Sequence, residues 1–90
     1  MSWQGIDEAQ WAAAVAYLRR RMLARDRTQI AAEIGKVGLE RWIYQHHIPF
    51  GMWVRNTLRR KGFDEGKLRV LDLDAAWGYL LEDALKPLRK

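Results

Sequence analysis

Cysteine is absent from this 90-residue chain, and proline occurs only twice. Without cysteine there is no disulfide, no thiolate zinc site and no thiol nucleophile. The longest wholly apolar run spans residues 11–18, which is far too short to cross a bilayer. The first residues show neither the basic nor the apolar part of a signal peptide. These absences predict a cytoplasmic protein without a membrane partner, and the length predicts one domain over residues 1–90.

Side chains suited to nucleophilic catalysis are also scarce. Apart from the tyrosines, the hydroxyl side chains are those of Ser2, Thr28 and Thr57, and none has a context that would pair it with a base. A glycine-rich phosphate loop is missing, because residues 35–38 lack the Walker spacing and its hydroxyl residue. We therefore expect no enzyme activity and no cofactor.

The two histidines, His46 and His47, are poorly placed for metal binding. Adjacent residues on a regular helix point about 100° apart, so both rings cannot bind one ion. The carboxylates of Asp72 and Asp74 are explained as capping groups at a helix start. We expect no metal site, and a histidine that caps the carbonyls at a helix end is the simpler interpretation.

Hydrophobic periodicity predicts an all-α fold, a compact bundle of four to five helices. The first helix is expected to end near residue 24. Asp7 is its predicted N-cap, Gln10 completes a capping box, and Ile6 with Trp11 forms a hydrophobic staple.

The second helix is less well defined. Asp26 or Thr28 is its predicted cap, and Gly35 and Gly38 leave its end open. It either stops near residue 37 or bends and continues to about residue 46. A third helix is predicted over about residues 49–61, because proline is favoured in a first turn and Gly62 is suited to a left-handed C-cap.

After that helix, residues 64–67 are predicted to form a turn and residues 67–71 a short extended segment. The last helix is expected to begin after Asp72 or Asp74 and to end at Pro87. Trp3 lies outside any apolar stripe. The other four of the five tryptophans lie on such stripes and are predicted to be core residues, namely Trp11, Trp42, Trp53 and Trp77.

The net charge of +5 is concentrated in the middle of the chain, where residues 19–61 hold eleven basic and three acidic side chains. Two clusters stand out, at residues 19–27 and 55–61. One interpretation places both in the last turns of helices, where the helix dipole favours positive charge. The other is a nucleic-acid surface, which would require both clusters to share one face. The candidate basic surface comprises Arg19, Arg20, Arg21, Arg25, Arg27, Arg59, Arg60 and Lys61.

Residues 46–56 read His-His-Ile-Pro-Phe-Gly-Met-Trp-Val-Arg-Asn. This segment resembles the signature of a family of small bacterial domains of unknown function, in which a histidine-rich or aromatic stretch precedes Gly-Met-Trp-Ile-Arg-Asn. The likeness covers about residues 39–86, with departures at Pro49 and at residues 57–63. The resemblance implies a bacterial helical domain and carries over no activity, since none is established for the family.

The same segment has a physical interpretation of its own. Gly51 and Arg55 are four residues apart, so Arg55 is expected beside the space that Gly51 leaves for another backbone or a ligand. If the motif is structural, Arg55 pairs with Asp72 or Asp74, and Asn56 bonds a loop carbonyl. If it binds a ligand, these side chains face a pocket instead. The candidate residues are His46, His47, Gly51, Trp53, Arg55 and Asn56.

Two functions remain as hypotheses. The first is a non-enzymatic protein-interaction module that binds a protein partner or itself, because arginine and tryptophan are favoured anchors at interfaces. The alternative is a nucleic-acid-binding accessory protein that uses the basic clusters at 19–27 and 55–61.

Overall fold

The first helix, α1, follows from its capping chemistry. In the computed structural model, which describes residues 5–86, α1 spans Glu8–Arg21. Asp7 is its N-cap as predicted, and the Asp7 carboxylate accepts a hydrogen bond from the Gln10 backbone N–H at 3.0 Å. The Asp7 N–H donates to the Leu68 carbonyl at 3.1 Å, in place of the reciprocal bond of a capping box. The start of α1 is thereby tied to a segment 61 residues further along the chain.

Two residues in extended conformation, Met22 and Leu23, separate α1 from the second helix. Met22 is buried, and α2 begins two residues later, spanning Ala24–Val37 with Leu23 as its N-cap residue. The predicted caps are therefore wrong. Asp26 lies in the first turn of α2, and the Thr28 hydroxyl donates to the carbonyl of Ala24 within the helix.

Gly38 decides between the two predicted ends of α2. Its φ is +91°, a conformation that a residue with a Cβ rarely adopts. The helix stops at Val37, and a separate helix, α3, spans Leu39–Gln45. Of the two alternatives, the shorter helix is confirmed.

The predicted third helix has the expected end and a different beginning. Residues His47–Gly51 form a wide π-helical turn with Ile48 in an extended conformation and a cis Ile48–Pro49 peptide bond. Helix α4 spans Met52–Arg60. At its end Gly62 has a φ of +98°, as predicted for a C-cap glycine.

The extended segment predicted at residues 67–71 is wrong. Residues Glu65–Leu68 form a one-turn helix, α5, whose cap, Asp64, accepts a hydrogen bond from the Lys67 N–H at 2.9 Å. Arg69 then takes a left-handed conformation with a φ of +59°. Leu68 and Val70 are both buried, so the alternating pattern arises from a helical turn and its exit rather than from a strand.

The last helix, α6, spans Leu73–Leu85. Its N-cap is Asp72, one of the two predicted starts, which accepts a hydrogen bond from the Asp74 N–H at 2.9 Å. The predicted end at Pro87 lies outside the described residues. Helix α6 is the centre of the bundle, since it contacts α1, α2, α3, α4 and the π-helical turn.

Within residues 5–86 the fold is all-α, with six α-helices and the π-helical turn, where four to five helices were predicted. Residues 5–86 contain no strand. The Cα radius of gyration is 12.3 Å, close to the roughly 12 Å expected of a compact chain of this length. None of the helices in this range has the length and apolar character needed to cross a membrane.

The tryptophans divide between the core and the surface. Trp42 and Trp77 are buried as predicted. Trp11 is half-buried and donates its indole N–H to the Asp83 carboxylate at 2.7 Å. The core prediction is wrong for Trp53, whose side chain is 37% exposed. Trp3 lies outside the residues that the structure describes.

Candidate functional site

The motif at residues 46–56 presents two faces. His47, Gly51 and Arg55, spaced by four, lie toward α6. His46, Phe50 and Trp53, spaced by four and three, line an open groove on the other side. The π-helical turn and α4 carry all of these residues except His46, which is the C-cap residue of α3.

The inner face forms a junction between α4 and α6. We call it the α6 junction and define it as His47, Gly51, Arg55, Asp74 and Trp77. The Arg55 Nε donates to the Asp74 carboxylate at 2.9 Å, which is one of the two predicted pairings. Arg55 Nη1 lies 3.5 Å from His47 Nδ1. The Arg55 side chain is 9% exposed, so its charge is balanced in a largely dry setting.

The gap beside Gly51 is occupied by the Trp77 indole. A Cβ at residue 51 would lie 2.8 Å from Trp77 Cζ2 and 3.1 Å from Arg55 Nη1. Glycine at position 51 is therefore required for the close approach of α6. The sequence predicts a backbone or a ligand in the space beside Gly51, and the Trp77 ring occupies it instead. The buried Trp77 indole N–H has no acceptor within residues 5–86, so this side chain stabilises the junction by packing.

A second carboxylate extends the junction toward α5. Glu65 accepts hydrogen bonds from the Leu73 backbone N–H at 3.0 Å and from Arg59 Nη2 at 2.9 Å. The Leu73 bond, followed by the Arg59 bond, holds the pKa of Glu65 below the ordinary glutamate value of 4.5. Arg59 also lies 4.0 Å from Asp74. These contacts connect the starts of α5 and α6 to the end of α4.

The outer face lines a groove of about 550 Å³ between α2, α3 and the π-helical turn. We call it the aromatic groove. It includes contributions from the end of α1 and from α4 as well. Its lining residues are Arg21, Met22, Leu23, Asp26, Gln29, Ile30, Glu33, Trp42, His46, Phe50 and Trp53.

One wall of the aromatic groove is polar and belongs to α2. Asp26, Gln29, Ile30 and Glu33 stand at positions i, i+3, i+4 and i+7, which is a single side of a helix. Glu33 accepts the indole N–H of Trp42 at 3.0 Å and the Gln29 side-chain amide at 3.1 Å. These two bonds, the one from Trp42 first, lower the pKa of Glu33 from its ordinary value of 4.5.

The opposite wall is a series of aromatic rings. His46 stacks on Trp42 with centroids 4.1 Å apart, and Phe50 stacks on Trp53 at 5.7 Å. Phe50 also meets Trp42 edge-on at 5.7 Å and Trp77 at 6.3 Å. Through the contact of Phe50 with Trp77, this aromatic wall packs directly on the α6 junction.

The tautomer of His46 follows from its hydrogen bond. Its Nδ1 lies 2.9 Å from the Trp42 backbone carbonyl, and a carbonyl oxygen can only accept, so Nδ1 carries the proton. In the neutral ring, Nε2 is then an acceptor. His46 thus caps a helix carbonyl as the sequence predicts, while its ring lines the aromatic groove.

Asn56 is exposed. It makes no hydrogen bond to a loop carbonyl within residues 5–86, so that expectation is wrong. Sequence reasoning also missed Leu23, which is 58% exposed at the edge of the aromatic groove, and the polar wall on α2. The i, i+3, i+4, i+7 spacing of that wall was visible in the sequence, but helix periodicity does not show which solvated face borders a groove.

The basic residues divide between internal contacts and the surface. Arg19 donates from Nε to the Ala84 carbonyl at 3.1 Å and from Nη2 to the Asp83 carbonyl at 3.3 Å, at the end of α6. Arg59 pairs with Glu65. Arg19, Arg20, Arg21, Arg59 and Arg60 lie in last helical turns as predicted.

The prediction of a last-turn position is wrong for Arg25 and Arg27, which lie near the start of α2. Exposed bases remain at Arg20, Arg21, Arg25, Arg60 and Lys61. The Lys61 ammonium stands 5.6 Å from the Tyr17 ring centroid, which brings the end of α4 beside the end of α1.

Within residues 5–86 no group of three histidine or carboxylate side chains is positioned to hold a metal ion. Comparison with protein-family models, with curated proteins and with solved structures found no match to the chain. The likeness of residues 39–86 to a family of small bacterial domains therefore stays a prediction.

Proposed function

We propose that the protein is a non-enzymatic interaction module that docks a segment of a partner protein in the aromatic groove. The observation that carries the proposal is an open groove of about 550 Å³ whose aromatic rings pack on one another. Rings that already pack on one another have less conformational freedom to lose on binding, so more of the contact energy becomes affinity.

The exposed apolar side chains support this location. Leu23 and Trp53 are 58% and 37% exposed at the aromatic groove. Ile48 and Met52, on the adjacent turn and helix start, are also exposed. Contiguous apolar exposure of this kind is typical of interaction sites, and tryptophan is a favoured anchor in them.

A selection experiment tests the proposal. The full chain is immobilised, and a phage-displayed library of random dodecapeptides is selected against it. We expect enriched peptides that bind the wild type and lose about tenfold or more in affinity to the L23A/W53A variant, because truncating interface anchors costs 1–2 kcal/mol or more each.

Leu71→Ala is the matched control, since Leu71 is 95% exposed and lies outside the aromatic groove. Circular dichroism and thermal melting establish that each variant is folded. If no enriched peptide depends on the aromatic groove, the proposal is wrong. Analytical ultracentrifugation of the free chain tests whether the partner is a second copy of this protein. In that case the wild type sediments as a dimer and L23A/W53A as a monomer.

Nucleic-acid binding is the second candidate, favoured by one observation. The contact of Lys61 with the Tyr17 ring places Lys61 near Arg20 and Arg21, which follow Tyr17 by three and four residues on α1. Arg19, Arg55 and Arg59 bind carbonyls or carboxylates of the chain itself. The exposed basic side chains that remain in this region form a small surface around Arg20, Arg21 and Lys61.

Four phosphate contacts from such a surface would give a slope of about −3 to −4 for log K against log salt on duplex DNA. The measurement is retention on heparin and random duplex across a salt gradient, with an R20Q/K61Q variant for comparison. Absence of retention at low salt would exclude this candidate.

A further inference from the structure

We propose that the segment bound in the aromatic groove carries an arginine. Its guanidinium stacks on the Trp53 ring and donates hydrogen bonds to the α2 carboxylates of Asp26 and Glu33. This inference rests on the proposed function and names the chemistry of the partner. It is carried by three features of the groove, namely its charge, its hydrogen-bond acceptors and its aromatic faces.

The charge of the aromatic groove is opposite to that of the protein. Its lining holds the carboxylates of Asp26 and Glu33 against one guanidinium, that of Arg21. The chain as a whole carries a net charge of +5. An acidic lining in a basic protein favours a cationic segment and disfavours phosphate, so a nucleic acid is a poor occupant of this groove.

Within residues 5–86, the carboxylates of the lining have unfilled hydrogen-bond acceptor sites. Each Glu33 oxygen accepts one bond from within the chain, from Trp42 or Gln29, and a carboxylate oxygen has a second acceptor site. Asp26 is exposed, and in the neutral form of the His46 ring Nε2 is an acceptor, because Nδ1 donates to a carbonyl. An occupant rich in N–H donors would satisfy these groups.

The aromatic wall favours arginine over lysine. Phe50 and Trp53 stack with an interplanar angle of 28°, and Trp53 is partly exposed. A guanidinium is planar and weakly hydrated, so it can stack on such a ring and donate sideways to carboxylates at the same time. A lysine ammonium offers a point charge and no face to stack.

The test uses three acetylated and amidated hexapeptides, Leu-Arg-Leu-Leu-Arg-Leu and its analogues with glutamine or lysine in place of arginine. Each is titrated into the ¹⁵N-labelled full chain, and the indole N–H of Trp53 and the side-chain amide of Gln29 are followed. We expect the arginine peptide to shift both signals and to bind at least tenfold more tightly than the glutamine peptide and threefold more tightly than the lysine peptide.

Variants of the polar wall provide the second arm. Glu33→Gln retains an oxygen acceptor for the Trp42 indole N–H, so we expect this variant to fold. The double variant D26N/E33Q should reduce the preference for the arginine peptide over the glutamine peptide to less than threefold. Glu40→Gln removes an exposed carboxylate outside the groove and should keep the preference. Arg21→Gln should tighten binding of the arginine peptide, because it removes a like charge.

The outcomes separate this inference from the proposed function. Equal binding of the arginine and glutamine peptides would overturn the inference, as would equal binding of the lysine peptide or a lack of any shift at Trp53 and Gln29. In each case the proposed function stands if the library selection gives groove-dependent peptides without arginine. A selection that fails altogether would overturn both.

Discussion

The two faces of residues 46–56 differ in how their side chains are satisfied. At the α6 junction, Arg55 is paired with Asp74 at 2.9 Å, and Trp77 fills the gap over Gly51. At the aromatic groove, Trp53 and the neighbouring Leu23 present apolar surface to solvent. The inner face is buried and ion-paired within residues 5–86, with only the Trp77 indole N–H left without an acceptor there, whereas the outer face leaves apolar surface exposed.

This difference separates stability from binding within one short segment. The inner residues gain their free energy from burial and pairing during folding, so substituting them should change the free energy of unfolding. The outer residues gain less from folding, because Trp53 and the neighbouring Leu23 keep 37% and 58% of their surface in water. Substituting them should change affinity for a partner instead.

The largest expected effect comes from truncating a tryptophan on each face. Trp77→Ala should lower the free energy of unfolding by about 3–5 kcal/mol, because Trp77 is fully buried and the cavity cannot collapse completely. Trp53→Ala should cost less, about 1–2 kcal/mol, because 37% of Trp53 is already exposed and fewer packing contacts are lost. Urea unfolding measures both, and equal losses would contradict the division into two faces.

A methyl group added at Gly51 tests the close approach of α6. Gly51→Ala should destabilise by about 1–3 kcal/mol, because the new Cβ would meet the Trp77 ring at 2.8 Å and force repacking. The backbone at Gly51 is helical, with a φ of −59°, so alanine has no conformational penalty there.

Gly35→Ala is the control for that change. Gly35 lies within α2, and a Cβ there meets no atom within 4 Å. This variant should gain about 0.5–1 kcal/mol from helix propensity. Thermal melting of both variants checks the sign, and a stabilised Gly51→Ala would show that the Trp77 contact is not tight.

The geometry of the Arg55 ion pair gives a smaller effect. Arg55→Lys keeps the charge but loses the Nε donor to Asp74 and the contact with His47, and should cost about 1–2 kcal/mol. The matched change Arg60→Lys, at an exposed position, should stay within about 0.5 kcal/mol. If Arg55→Lys melts like the wild type, Arg55 is free for a binding role.

The smallest effect is a pH dependence. The pKa of Glu65 is lowered in the folded chain from 4.5 by the Leu73 N–H and Arg59, so its contribution is complete above pH 4.5 and is lost as the pH falls through the folded-state pKa. The stability difference between wild type and Glu65→Gln should therefore shrink on acidification. Urea unfolding between pH 3 and 7 measures it, and a constant difference would contradict the linkage.

Features set by neighbouring residues were predictable from the sequence. Asp7 and Asp72 cap helices because a carboxylate can reach N–H groups two or three residues on. Gly62 adopts a positive φ after α4 because few other residues do so easily. The partner of Arg55 was predicted from charge only as Asp72 or Asp74, and the structure selects Asp74, because the choice depends on how α6 lies against α4.

Features that depend on distant contacts were not predictable. Helix α5 and its exit at Arg69 depend on the burial of Leu68 and Val70. They also depend on the Leu68 carbonyl, which accepts a hydrogen bond from the Asp7 N–H at the start of α1. Trp53 lies on an apolar stripe like that of a core residue, yet it is partly exposed because no described helix covers that side of α4. Periodicity reveals which side chains share a face, but it does not reveal what lies opposite.

The sequence by itself determined the all-α class, the starts of α1 and α6 and the lack of thiol chemistry, because each depends on residue type and local spacing. Only the tertiary structure decided which face of residues 46–56 is closed by α6 and which borders a groove. The reason is physical: burial and pairing of a side chain require the partner surface, and here α6 supplies it from a segment remote in the chain.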